Sequence, residues 1–170
     1  MNNIITQAQY RIRSFSKVNN IELNEEMFEV PLESAREYAQ NMGYTLEDVL
    51  EDLGGREAMF VDFFPFALKR VIVYDESKFN TGDEDEEIQI IIHEYLHFNE
   101  ASDDEAEDEV LSIIIAFESD KPFDEGLKSA RSKLSLEKLK AMYVQDPELP
   151  FNMDRKLDTL TLREARRWLE

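Results

Sequence analysis

Ile88 to His97 reads IQIIIHEYLH, and its last five residues, His93-Glu94-Tyr95-Leu96-His97, spell H-E-x-x-H. Ile88, Ile90, Ile91 and Ile92, then Tyr95, Leu96 and Phe98, are apolar nearly all round, the pattern of a helix packed at the centre of a domain. On a helix, residues i and i+4 lie on one face, so His93 and His97 can hold one Zn²⁺ from the same side. Glu94 is then placed to act as a general base beside that metal. The chain has only two histidines, and both are here. The plain alternative is a core helix with two satisfied histidines. It leaves Glu94 as an unpaired carboxylate in an apolar run, which is costly.

The 170 residues suffice for one domain with a substantial core. A hydrophobic content of 42% lies in the globular range and argues against global disorder. With no cysteine there is no disulfide framework, zinc ribbon or thiol nucleophile. No apolar run approaches a membrane span, and Met1-Asn2-Asn3-Ile4-Ile5 lacks a signal-peptide layout. The expected location is the cytoplasm. The net charge of −19 is uneven. Between Lys78 and Lys121 there are fifteen acids and no Lys or Arg, leaving the rest of the chain at −4. A field of this sign repels nucleic acid and attracts cations and basic partners; a solvated acidic surface is the commoner cause.

Helical spacing predicts an amphipathic helix over Asn2–Val18, ended by Asn19-Asn20. Ile21–Val30 is ambiguous. Pro31 reads as the opening of a helix over Leu32–Met42, with Gly43 as its C-terminal cap. Thr45 caps a short helix, Leu46–Leu53. Ala58–Phe64 and Arg70–Tyr74 are aromatic and β-branched, and read as an antiparallel strand pair joined around Pro65–Lys69. Asp83–Glu87 begins the histidine helix. Ser102-x-x-Glu105 has capping-box spacing for a helix over Asp103–Phe117. Glu125–Lys133 and Leu136–Val144 read as helices, Pro147, Pro150 and Asn152 as a connection, and Thr161-x-x-Glu164 as the start of a last helix, Leu162–Leu169. Three segments are expected: 1–55, an N-terminal helical segment packing on the core; 56–145, the core; and 146–170, a C-terminal helical extension.

A catalytic zinc takes three protein ligands, so with no third His and no Cys the third must be an oxygen donor. Glu100 sits nearly a turn beyond the histidines on their own helix. The following helix is the better source. If its stripe Ala106, Val110, Ile113, Ile114 and Phe117 packs inward, steps of about 100° per residue bring Glu107 and Asp103 nearest the stripe. Glu105, Asp108 and Glu109 point to the side or to solvent. Glu107 is the expected ligand, with Asp103 and then Glu109 behind it.

A strand pair, an acidic loop, an H-E-x-x-H helix and a second helix with Glu in its early turns resembles the ImmA/IrrE-like metallopeptidases, gluzincin-type zinc proteases. Their downstream E-x-x-A-N-x-F-A pattern falls on Glu107-Asp108-Glu109-Val110-Leu111-Ser112-Ile113-Ile114. Leu134-Ser135-Leu136-Glu137-Lys138-Leu139 loosely follows a later helical segment of that family. Leu96 stands where the family has Gly, and the Asn and second Ala are absent. The resemblance spans roughly 56–144. It implies an α+β fold: a mostly helical, zincin-like domain with a small antiparallel sheet before the H-E-x-x-H helix. It implies Zn²⁺ on His93, His97 and Glu107, with Glu94 as base.

The function so implied is hydrolysis of peptide bonds in a protein substrate, with a DNA-binding repressor as the class the family suggests. A second donor for the oxyanion would come from Tyr74, Tyr95 or Arg70, and the strand Val71–Tyr74 would pair an extended substrate by strand addition. The competing class is a non-catalytic acidic interaction protein, either a nucleic-acid mimic or a phage or mobile-element protein on a zincin-like scaffold. In either class the expected partner is a protein with a basic surface, with no direct contact to nucleic acid or membrane.

Overall fold

The computed structural model describes residues 1–62, 70–80 and 82–170. The elements in order are α1 (Asn2–Val18), β1 (Leu32–Ser34), α2 (Ala35–Met42), α3 (Leu46–Leu53), β2 (Ala58–Val61), β3 (Val71–Tyr74), α4 (Glu84–Leu96), α5 (Glu105–Glu118), α6 (Phe123–Lys133), α7 (Leu136–Met142), α8 (Leu149–Thr159) and α9 (Leu162–Leu169). Short 3₁₀ turns occupy Glu25–Glu29, Glu76–Lys78 and His97–Asn99. The fold is α+β and mostly helical. Among the described residues no helix is long and apolar enough to cross a membrane.

Local chemistry explains most of these bounds. Asn19 ends α1 by returning its side-chain amide and its backbone N–H to Phe15 O. Thr45 and Asp48 form a reciprocal capping box on α3, as Thr161 and Glu164 do on α9. Gly43 and Gly54 close α2 and α3 in the left-handed conformation that a Cβ disfavours.

Three elements differ from the sequence-based expectation. Pro31 does not open a helix. Its carbonyl accepts from Ile72 N, and Leu32–Ser34 runs as a strand before Ser34 caps α2. Among the described residues the sheet is therefore three-stranded and mixed rather than antiparallel, with order β1-β3-β2, β1 parallel and β2 antiparallel to β3. The segment read as a connection around Pro150 is the helix α8, because proline fits a helix's first turn, where no intrahelical donor is lost. The helix after the histidines starts at Glu105, capped by Asp104 rather than Ser102, whose hydroxyl accepts from Asp104 N instead. The expected link between the strands, Pro65–Lys69, lies outside the described residues.

The sheet has two faces with different neighbours. Val61, Val71 and Val73 pack with Ala35, Tyr38, Ala39, Val49 and Leu53 of α2 and α3. Ala58 and Ile72 belong to the main core, with Ile88, Ile91, Ile92 and Leu96 of α4. That core draws on every part of the chain, from Ile4, Ile12 and Phe15 to Met153, Leu157 and Trp168. At its centre α4 and α5 lie side by side, flanked by α1 and α8. The turn between them is tight: His97–Asn99 winds into a 3₁₀ turn and Glu100 takes a left-handed φ of 42°.

Candidate metal centre

Antiparallel packing of α4 on α5 sets two polar pairs one turn apart. Gln89 Nε2 donates to Ser112 Oγ at 2.7 Å. One turn along, His93 and His97 meet Asp108. His93 Nε2 and His97 Nε2 are 3.0 Å apart, and Asp108 Oδ2 lies 3.3 Å from His97 Nε2 and 3.7 Å from His93 Nε2. The three donor atoms form a small triangle with a mean edge of about 3.3 Å. Zinc bonds of ~2.0–2.2 Å place tetrahedral donors ~3.3–3.6 Å apart, whereas adjacent octahedral donors at the same bond lengths sit ~2.8–3.1 Å apart. The mean edge falls in the tetrahedral range, with single edges from 3.0 to 3.7 Å.

Asp108 is 1% exposed, and its Oδ1 is buried with no hydrogen-bond partner among the described residues. A buried carboxylate oxygen lacking a donor is a cost that a cation removes. Two imidazoles, one carboxylate and an orphaned buried oxygen together fit a divalent metal. Glu94 lies beside them, with a carboxylate oxygen and a ring nitrogen from each histidine all within 4.8 Å of one another. Its Oε2 accepts from Phe60 N–H of β2 at 2.5 Å, which fixes the carboxylate next to the imidazoles.

The ionisation of these groups is mutual. Burial alone would keep His93 neutral, but Glu109 at 2.7 Å from its Nδ1, with Asp108 and Glu94, holds its proton up to about 10. Burial, then the charge on His93, brings His97 down to about 4. Burial lifts Glu94 to about 7 against the pull of His93 and the Phe60 N–H. Burial likewise lifts Asp108 to about 7, again against His93. Glu109 resists the same burial: His93 and its hydrogen-bond donors hold it down at about 2. Without a cation, His93 carries the positive charge that these carboxylates require.

The structure brings His93, Glu94 and His97 together and leaves Glu107 outside the group. Glu107 is buried, but its Oε1 accepts from Trp168 Nε1 at 2.8 Å and its Oε2 meets Lys156 Nζ at 3.0 Å. It fastens α8 and α9 to α5. Asp103, the next expected ligand, is exposed. The stripe reading failed because α5 has almost no solvent face. Leu111, Ile115 and Ala116 are buried as fully as Ala106 and Val110, while Phe117, read as inward, is 48% exposed. A helix enclosed on most sides gives no stripe from which to rank its acids. Ser112 was the available clue. It is a polar residue in an apolar run, four places after Asp108 as Gln89 is four before His93.

Other expectations are also revised. β3 is the middle strand and has no free edge for a substrate; β2 is at the sheet edge. Tyr95 is buried, and its hydroxyl accepts from Gln9 Nε2 of α1 rather than facing the metal group. Tyr74 packs its ring on Phe79. Arg70 is exposed, 5.0 Å over the ring of Phe98 and 3.6 Å from Asp62. The acidic run is more than a solvated face, since Glu87, Glu94, Glu107, Asp108 and Glu118 are all buried. No family model matches the chain, and no curated protein or solved structure matches it either.

Proposed function

We propose that this chain is a zinc-dependent metallopeptidase of zincin-like architecture, hydrolysing peptide bonds in a protein substrate. The observation that carries the reading is the triangle of His93 Nε2, His97 Nε2 and Asp108 Oδ2, with edges of 3.0–3.7 Å and Glu94 against it. His93, His97 and Asp108 would hold the metal, in place of the set with Glu107. Zinc bound there would supply a Lewis acid and a water that ionises near pH 7.

Glu94 has the general base's role. A carboxylate beside the two imidazoles can take a proton from water and return it to the leaving amine. Phe60 N–H keeps Oε2 in place, so the carboxylate need not reorganise during that exchange. Among the described residues β2 is an outer strand of the sheet beside Glu94, and its outward Phe60 N–H is already given to that carboxylate. Glu84, Asp85 and Glu86, exposed at the start of α4, favour a substrate with a basic surface, as a DNA-binding repressor has. The same exposed acids support the second reading, a non-catalytic acidic interaction protein.

Metal content and hydrolysis separate the two. Protein purified without chelator and supplemented with zinc should hold about one zinc per chain by elemental analysis, lost in His97→Ala. It should cleave casein or a lysine-rich histone, while Glu94→Gln keeps the zinc and loses the cleavage. Zinc-free wild type after supplementation would end the metallopeptidase reading. Zinc without cleavage of any basic or unfolded protein would leave the interaction reading.

A further inference from the structure

Two adjacent acids on α5 both reach His93, and something must decide which one binds metal. Donor atoms of His93, Asp108 and Glu109 all lie within 4.8 Å of one another. We infer that Tyr143 and Gln89 are positioning residues that make this choice, holding Glu109 behind His93 so that Asp108 completes the ligand set; this rests on the metal reading proposed above.

The geometry is specific. Glu109 Oε2 lies 2.7 Å from His93 Nδ1, on the side of the ring away from Nε2, which faces His97 and Asp108. Its Oε1 accepts two hydrogen bonds, one from Gln89 Nε2 at 3.0 Å and one from the hydroxyl of Tyr143. Gln89 is held in turn by Ser112 Oγ at 2.7 Å, and that hydroxyl donates to Glu109 O at 2.7 Å. Both carboxylate oxygens are therefore engaged, and the Glu109 side chain is only 13% exposed. The contact at Nδ1 is an ion-pair approach rather than an aligned hydrogen bond, and a carboxylate on that side of the ring favours a proton on Nδ1, leaving the Nε2 lone pair for a metal. Released, the same carboxylate is long enough to swing towards the metal donors and compete with Asp108. Gln89 stands one turn before His93 on α4, whereas Tyr143 follows the end of α7. The C-terminal third of the chain thus reaches Glu109 through the Tyr143 phenol.

The test uses the full-length protein with Tyr143→Phe, Glu109→Gln and their double variant. Zinc affinity is measured by competition with a chromophoric chelator, and geometry by the visible absorption of the Co²⁺-substituted protein. Tyr143→Phe should weaken zinc about 10–100-fold and change the Co²⁺ spectrum, while the metal-free protein still unfolds in one cooperative urea transition at a somewhat lower midpoint, because a donor to the buried Glu109 is lost. Because Tyr143 acts through Glu109, adding Tyr143→Phe to Glu109→Gln should cost little more. Gln89→Leu, which removes the other donor, should reproduce the Tyr143→Phe result if that variant folds poorly. Wild-type affinity and an unchanged spectrum in both Tyr143→Phe and Gln89→Leu would overturn the inference, as would fully additive losses in the double variant. Wild type that binds no zinc at all would overturn the metal reading, and this inference with it.

Discussion

Asp108→Asn should make the metal-free protein more stable and the zinc-supplemented protein less so. The wild-type carboxyl is moved by burial from 3.8 to about 7. At about 1.36 kcal/mol per pH unit, ionising it in the folded state costs about 4 kcal/mol once the pH exceeds 7. The sign follows from proton uptake. Between pH 3.8 and 7 the folded chain binds more protons at this site than the unfolded chain, so stability falls as pH rises through that window. The penalty is fully present above 7 and absent below about 4. Part of the gain on removing it is cancelled, because Asp108 also helps hold the proton on His93. The net expectation is a stabilisation of about 1–3 kcal/mol at pH 8 in chelator, vanishing towards pH 4. Zinc reverses the order. At a free concentration of about 100 times Kd it stabilises the wild type by about 2.7 kcal/mol, and the Asn variant, lacking an anionic ligand, by far less. Urea unfolding at pH 8 with chelator, with zinc, and at pH 4.5 with chelator measures all three. Equal zinc stabilisation of both proteins would refute Asp108 as a ligand. A variant less stable than wild type in chelator at pH 8 would refute the picture of a buried, uncompensated carboxylate.

Glu107→Ala should leave zinc affinity within about threefold while lowering stability by about 1–3 kcal/mol, since it strands the buried Trp168 indole N–H and takes one of three carboxylates from Lys156, which keeps Asp104 and Glu164; chelator competition and urea unfolding distinguish the two effects. Zinc affinity should rise with pH, because the metal displaces the proton that His93 holds up to about 10, and rise more steeply below pH 7, where Asp108 must also lose one; competition titrations from pH 6 to 9 would show this, and a flat profile would contradict it. Trp168, the chain's only tryptophan, has its ring 6.2 Å from that of His97, so Co²⁺ should quench its fluorescence in the wild type and not in His97→Ala.

Much of this protein could be read from local chemistry, and what could be read has a common cause. The bounds of α1, α3 and α9 follow from Asn19-Asn20, from Thr45 with Asp48, and from Thr161 with Glu164, signals that operate within a turn or two. The pairing of β2 with β3 and the gathering of His93, Glu94 and His97 are equally local, since four residues on one helix need no distant partner. The tertiary structure alone decided the rest. Leu32–Ser34 is a strand because β3 offers it a parallel edge some forty residues later, not because of anything in Pro31-Leu32-Glu33-Ser34. The choice of Asp108 over Glu107 depends on how α5 is turned against α4, and an enclosed helix with acids at 105, 107, 108 and 109 carries no periodicity to announce that rotation. Glu107 and Asp108 are neighbours in sequence, yet one faces Trp168 and Lys156 and the other faces two imidazoles. Adjacent residues on a helix point about 100° apart, so a single step along the chain separates a structural clamp from the proposed metal ligand.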